Sequence, residues 1–135
     1  MLLRPLNFLS LLVVFGLLLP GCAHPHTAPA SAQQTLGGMV VTLNSNSPHT
    51  GDNTITITVI DENTKSPIGN ANITATAEMV SPRLPGTQVS GRAQGNGLYS
   101  IPVRFGVATR YHLTLHIQRP GQSSVTVVFP VDAAE

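Results

Sequence analysis

The sequence has few charged residues, few aromatic residues and a single cysteine. Only 10% of its 135 residues are charged and the formal net charge is +1, which is too weak for the electrostatic attraction that nucleic-acid binding needs. No basic stripe interleaved with aromatic residues occurs in the chain. These absences exclude a nucleic-acid-binding protein, and the length leaves room for one domain.

The N-terminus has the features of an export signal. Arg4 supplies a minimal positive region, and residues 8–19 form a largely apolar run of twelve residues. As a helix this run would span about 18 Å, well short of the roughly 30 Å of a bilayer core. Pro20 and Gly21 end the run. It therefore predicts a cleaved signal peptide over residues 1–21 rather than a membrane-spanning helix.

Cys22 is open to three interpretations: a redox group, a metal ligand together with His24 and His26, or a processing site. It directly follows the apolar run, and Leu19-Pro20-Gly21-Cys22 resembles the lipobox of bacterial lipoproteins. In that pattern an aliphatic residue and two small residues precede the cysteine, and Pro20 stands here where alanine or serine is more usual. The resemblance implies an acylated Cys22 and cleavage before it. Two or more acyl chains, at about 0.8 kcal/mol for each buried methylene, would hold the protein on a membrane.

Residues 22–35 have the composition of a flexible tether, rich in Pro, Ala, Ser, Thr and Gln without periodicity. Nothing preorganises His24 and His26 there to bind a metal, and acylation removes Cys22 from metal and redox chemistry. Ala23 is not aspartate, which by resemblance to enteric sorting rules implies the periplasmic face of the outer membrane in a Gram-negative cell. The predicted location is extracytoplasmic and lipid-anchored.

From Leu36 onward, apolar residues alternate with polar ones in short stretches separated by turn sequences. The apolar positions fall at 39–43, 55–59, 71–77, 89–93, 99–105, 111–117 and 125–131. Gly, Pro and Asn fill the breaks between most of these stretches. Pro102 cannot donate a ladder hydrogen bond, so we expect its strand to be an edge there or its nitrogen to point outward. About seven strands over residues 36–135 predict an all-β fold, an antiparallel immunoglobulin-like β-sandwich.

Two segments resemble the YtkA-like/FixH-related group of extracytoplasmic domains, GDNTITITVIDENTKSPIGNANITATAEM at 51–79 and GNGLYSIPVRF at 95–105. The matching positions are Gly51, Asn53, Asp61, Pro67, Ile68, Ala71, Ile73, Met79, Gly95, Gly97 and Tyr99. The chain lacks the second methionine that often follows the first, and Tyr111 stands where the group usually has tryptophan. The resemblance implies a role in the handling of copper or other cations, or in the maturation of respiratory oxidases at the membrane.

Met79 and His49 are the candidate metal ligands, with copper as the candidate ion. The resemblance offers Met79 as a ligand, since a thioether suits Cu(I). The alternation before Met79 also puts it on the inward face, where it would fill the end of the core. His49 lies in a loop close to Asp52 and could ligate a metal with Asp52 or Met79, or stay a solvated loop residue.

His112 and His116 have a spacing that on a helix would let both bind one metal ion. On a strand they share a face but lie about 13 Å apart. Metal–nitrogen bonds are about 2.0–2.1 Å long, so one ion cannot bridge the two side chains. Because the odd-numbered residues from Tyr111 to Ile117 are apolar, we expect both histidines to face solvent.

The sequence contains no motif that marks a common enzyme family. Gly-x-Ser-x-Gly, His-Glu-x-x-His and a glycine-rich phosphate loop are all missing, and the six carboxylates form no paired acid–base motif. We therefore predict no catalytic residues and a non-enzymatic binding or accessory module, held to a membrane through Cys22. Metal handling is the function that the resemblance implies. The alternative is a structural or interaction domain that docks on an envelope protein and has no metal site.

Overall fold

The computed structural model describes residues 32–44 and 47–135, which form nine β-strands. The strands are β1 (Ala32–Leu36), β2 (Met39–Asn44), β3 (Gly51–Asp61), β4 (Asn72–Met79), β5 (Gln88–Ser90), β6 (Arg92–Gly95), β7 (Leu98–Phe105), β8 (Arg110–Gln118) and β9 (Val125–Asp132). All pairs between these strands are antiparallel. The described part of the chain contains no helix that is long and apolar enough to cross a bilayer.

The strands build two sheets that pack face to face. Sheet one has the order β1-β2-β3-β7-β6, and sheet two has the order β5-β4-β8-β9. In β8 the odd-numbered residues from Tyr111 to Ile117 are buried, while the residues between them are exposed or half-buried. Apolar side chains from both inner faces meet in one core, and each fully buried side chain of this kind contributes about 1.5–3 kcal/mol. The fold is an all-β, immunoglobulin-like sandwich, as the alternation predicts.

Six of the seven predicted strands are present as single strands, namely β2, β3, β4, β7, β8 and β9. Their inward faces are also the predicted ones. In β3, for example, Ile55, Ile57 and Val59 are buried, whereas the threonines between them are half-buried on the outer face. The structure differs from the prediction in two places.

The first difference is an extra strand, β1, inside the stretch predicted to be tether. Ala32–Leu36 pairs with β2 through a turn at Gly37 and Gly38, which have φ values of 58° and 71°. Two consecutive glycines with positive φ suit a tight hairpin turn. Three of the five β1 side chains are polar and three are exposed, so the strand has no apolar alternation and is held by its backbone pairing. The sandwich therefore includes β1, which starts four residues before the predicted start of the domain at Leu36.

The second difference is that the predicted strand at 89–93 is two short strands in different sheets. β5 pairs with β4 in sheet two, and β6 pairs with β7 in sheet one. Gly91 lies at the crossover, where its amide donates to the Ile73 carbonyl at 2.9 Å. A Cβ at this position would lie 3.3 Å from the Cβ of Ile73 and 3.4 Å from Ile101. The chain changes sheets here because a glycine backbone fits closely between two core side chains.

Candidate functional site

A cleft of about 610 Å³ opens at the end of the sandwich where β3 begins and β7 ends. We call it the end cleft. Its lining comes from both sheets and from the loop between β4 and β5. The lining residues used below are Asp52, Asn53, Ala77, Met79, Leu84, Pro85, Gly86, Val89, Pro102, Val103, Arg104 and Tyr111. The volume falls in the range of small-molecule sites, roughly 300–1,000 Å³.

The end cleft exists because β5 and β6 are short. β5 pairs with β4 only at Thr74–Thr76, and β6 pairs with β7 only as far as Ser100. The last residues of β7, from Ile101 to Phe105, therefore have a neighbouring strand only on the β3 side. Pro102 lies in this stretch, as expected for a strand that is an edge at that point. Between the open ends of β4 and β7 the two sheets are not bridged, and the cleft occupies that gap.

The loop from residues 80 to 87 folds back over β4 and forms one side of the cleft. Leu84 and Met79 exchange backbone hydrogen bonds of 3.2 and 3.4 Å. Gly86 lies so close to β4 that an added Cβ would be 1.9 Å from the carbonyl oxygen of Ala77. Only glycine fits this approach. The close contact places the Leu84 and Pro85 side chains on the cleft.

Four polar side chains of the cleft make contacts within the protein. Asp52 and Arg104 form an exposed ion pair at 3.0 Å. Asn53 accepts from the His49 amide at 3.1 Å and donates to the carbonyls of His49 and Gly51 at 2.6 and 3.0 Å. The Tyr111 hydroxyl donates to the Val107 carbonyl at 3.0 Å and accepts from its amide at 3.2 Å.

With these polar groups engaged, the surface that the cleft offers to a ligand is largely apolar. It consists mainly of Met79, Leu84, Val89 and Val103, with Pro85 and Pro102 beside them. Such a lining favours an apolar ligand, because an apolar group gives up no hydrogen bonds to water when it enters.

The structure places the two predicted metal ligands differently. Met79 is half-buried, packs against the core and lines the end cleft, so the predicted inward orientation is confirmed. His49 is exposed and does not line the cleft. Its backbone bridges to Ala134 and bonds to the Asn53 side chain. The cleft thus contains Met79 and Asp52 but not His49, and copper binding stays a prediction.

His112 and His116 are both exposed on the outer face of β8, which confirms the predicted orientation. His116 Nδ1 lies 2.9 Å from the Thr126 hydroxyl on β9. Within residues 32–44 and 47–135, no three His, Cys, Asp or Glu side chains come close enough together to hold one metal ion.

Cys22, His24, His26 and the predicted signal peptide lie outside the described residues. Lipidation and the tether before Ala32 therefore stay predictions. The residues that sequence reasoning missed are Leu84, Pro85 and Gly86, which it placed only in a turn. The sequence signal that could have identified them is Leu84, an apolar residue between Pro82 and Pro85 in a predicted turn.

Comparison with known proteins shows the fold but no family. No protein-family model matches the chain, and no curated protein matches it. Among solved structures it is similar to a DUF4426 family protein from Pseudomonas aeruginosa PAO1, with 14% sequence identity and a TM-score of 0.55. The match covers 76% of this chain and 96% of that one. This similarity supports an all-β domain, whereas the resemblance to the YtkA-like/FixH-related group stays a prediction.

Proposed function

We propose that the chain is a lipid-anchored, non-enzymatic binding module on the extracytoplasmic side of a bacterial membrane, and that the end cleft is its ligand site. The observation that carries the proposal is the largely apolar lining of a 610 Å³ cleft, in which Asp52, Asn53, Arg104 and Tyr111 are engaged within the protein and Thr87 is a further polar residue. A lining of this kind suits binding more than catalysis, because reaction centres bring several polar groups together.

The anchor is supported by the sequence. A twelve-residue, largely apolar run ends at Leu19, three positions before the only cysteine of the chain. Acylation of Cys22 would give a durable membrane attachment, since two or more acyl chains bind a bilayer far more strongly than one. Under this proposal residues 22–31 are the tether, and Ala23 directs the protein to the periplasmic face of the outer membrane in a Gram-negative cell.

The anchor is tested by replacing Cys22 with serine in the full precursor. We expect Cys22→Ser to abolish fatty-acid labelling and to leave the signal peptide uncleaved at this site. An Ala23→Ser variant, which keeps the cysteine, is the matched control and should still be labelled. Labelling that survives in Cys22→Ser would contradict the proposal.

Metal handling is the finer proposal, and it is supported by the resemblance and by the position of Met79 on the end cleft. A thioether is a suitable ligand for Cu(I). The test is a titration of the mature protein with Cu(I) and Cu(II), with Met79→Ala and His49→Ala as variants. Submicromolar binding that is weakened by Met79→Ala would support a copper site in the cleft. Binding that neither variant changes, or no binding, would contradict it and favour an interaction domain without a metal site.

A further inference from the structure

We infer that the end-cleft side of the sandwich docks on the bilayer that holds the anchor, and that the cleft takes an acyl chain of a membrane phospholipid. This inference rests on the proposed lipid anchor at Cys22. The evidence comes from exposed apolar side chains, from the ion pairs of this end and from the position of the first strand.

Three large apolar side chains are exposed around the end cleft. Val80, Leu84 and Val107 keep 39%, 50% and 48% of their surface exposed. Their two loops lie side by side, because the Val80 amide donates to the Arg110 carbonyl and the Tyr111 hydroxyl bonds to Val107. Neighbouring exposed apolar side chains of this kind mark an interaction surface more often than isolated ones do.

Most charges at this end are held in ion pairs, and the exposed Glu135 adds one negative charge. Asp52 pairs with Arg104 at 3.0 Å, and Asp132 pairs with Arg110 at 2.7 Å. Arg83, whose side chain is 86% exposed, stands next to Leu84 and lies 3.9 Å from Glu78. A guanidinium beside an inserted leucine would meet the phosphate of a lipid headgroup.

The opposite end of the sandwich has a different character. Its segments ENTKS at 62–66 and RPGQ at 119–122 are mostly polar and exposed, and such side chains prefer water to the interior of a membrane. Leu36 and Leu98 are also exposed at this end, but they lie on β1 and β7, which β2 and β3 separate. Exposed apolar side chains are therefore grouped around the end cleft and separated at the opposite end.

The first strand places the anchor within reach of this end. Ala32 pairs with Leu43 of β2, and Leu43 pairs with Ile57 of β3. Ala32 therefore lies at the height of Ile57, and β1 runs from there away from the cleft. Asp52 lies five residues before Ile57, which is about 17 Å along the strand. Ala32 lies ten positions after Cys22, and ten residues of chain span at most about 33–36 Å. The lipid and the end cleft can thus reach the same bilayer surface.

An acyl chain suits this cleft better than an extended peptide. A peptide that added to the open edge of β7 would need backbone donors along that edge, and Pro102 removes one of them. Arg104 of β7 is already paired with Asp52 of β3. A methylene chain needs no hydrogen bonds, and the half-buried Met79 thioether can adapt to its shape.

The test uses the lipidated mature chain in vesicles of phosphatidylethanolamine and phosphatidylglycerol that carry bromine on their acyl chains. The natural sequence has no tryptophan, so one introduced tryptophan is an unambiguous reporter. We expect the brominated lipids to lower the emission of a Leu84→Trp variant about twofold, as for a side chain among acyl chains. The matched control is Leu98→Trp, since Leu98 is similarly exposed but pairs with Thr58 far from the cleft. It should change little.

A second measurement requires no substitution. Phospholipids with a photoreactive group on the acyl chain should crosslink to residues 79–87 and 103–111, and not to residues 62–66 or 119–122. Equal quenching at Leu84→Trp and Leu98→Trp, or crosslinks at the opposite end, would overturn the inference. If the protein floats with the vesicles but neither signal appears, docking fails while the anchor stands. If the protein does not float at all, the proposed function itself fails.

Discussion

The Tyr99 side chain is almost completely buried, with 1% of its surface exposed, and its hydroxyl makes two hydrogen bonds to the connection between β3 and β4. It donates to the Ile68 carbonyl at 2.8 Å and accepts from the Ala71 amide at 3.0 Å. This connection carries the chain from sheet one to sheet two. The hydroxyl, which belongs to β7 of sheet one, therefore fixes the position of the crossover.

We predict that Tyr99→Phe lowers the free energy of unfolding by about 1–3 kcal/mol, since it leaves two buried backbone groups without a partner. Denaturant unfolding of the mature protein measures the change. The control is Tyr111→Phe, whose hydroxyl bonds only to Val107 in a nearby exposed loop. Water can replace those bonds, so we expect a smaller loss. A larger loss for Tyr111→Phe than for Tyr99→Phe would contradict the argument.

Asp61, at the end of the sandwich opposite the end cleft, has a carboxyl group with a shifted pKa. Its carboxylate accepts from the amides of Thr64 and Asn63, each at 3.0 Å, and Arg119 lies 3.6 Å away. The two backbone hydrogen bonds, aided by Arg119, lower the pKa of this carboxyl below its ordinary value of 3.8. A group whose pKa is lowered in the folded state stabilises the fold above its unfolded pKa.

We therefore predict that the contribution of Asp61 is complete above about pH 4 and is lost as the pH falls through the lowered pKa. The measurement is the unfolding midpoint as a function of pH, and Asp61→Asn should give a flatter acid limb. Asp132, whose pKa is lowered by its hydrogen bonds to Arg110, acts in the same direction, so some acid dependence should remain in Asp61→Asn. An unchanged acid limb in Asp61→Asn would disprove the role of Asp61.

The orientation of single side chains was predictable where they lie in regular strands. A strand alternates its faces with a period of two, so Met79 inward and His112 outward follow from their neighbours. Leu84 and Gly86 lie in a loop that has no period. Their place on the end cleft depends on how closely that loop approaches Ala77, which only the packed structure shows.

Among whole strands, those with one buried face were predictable, including the edge strand β9, whereas the edge strands β1, β5 and β6 were not. The sequence predicts β7 and β8 as strands because one face of each is apolar and buried, which gives an alternation of apolar and polar residues. β1 and β6 are largely exposed, and β5 has only three residues. Such strands are fixed by backbone pairing to a neighbour, which leaves little trace in the order of apolar and polar residues.

Pro102 has a specific role in the open part of β7, because it removes a backbone donor from an edge that could otherwise pair with another chain. We predict that Pro102→Thr restores this donor and raises self-association, as measured by sedimentation of the mature protein. Pro130→Thr is the control. β9 is also an edge, but Gln34 of β1 already donates to the Val128 carbonyl there, so association should increase less. Pro102→Thr that stays monomeric at high concentration would argue against this role.

In the molecule as a whole, the core is uniformly apolar, and the two ends of the sandwich differ from each other in structure. No buried residue in the described ranges is charged or polar apart from the hydrogen-bonded tyrosines. The fold class was therefore predictable from composition and alternation alone. The end cleft was not, because it results from where β5 and β6 begin, at Gln88 and Arg92, and a turn sequence before a strand does not show how far the strand pairs with its neighbour.

The start of the domain can be tested by comparing two pieces of the chain, residues 32–135 and residues 37–135. β1 covers the backbone edge of β2 along five residue pairs, and β2 carries Val40, Val41 and Leu43 in its buried stretch. Without β1 that edge is free, and an exposed edge rich in β-branched residues promotes association between chains. We predict that the shorter piece unfolds at lower denaturant and self-associates, whereas the longer piece matches the mature protein. Equal stability and equal monomeric behaviour of the two pieces would instead support a domain that begins near Leu36, with β1 dispensable to the sandwich.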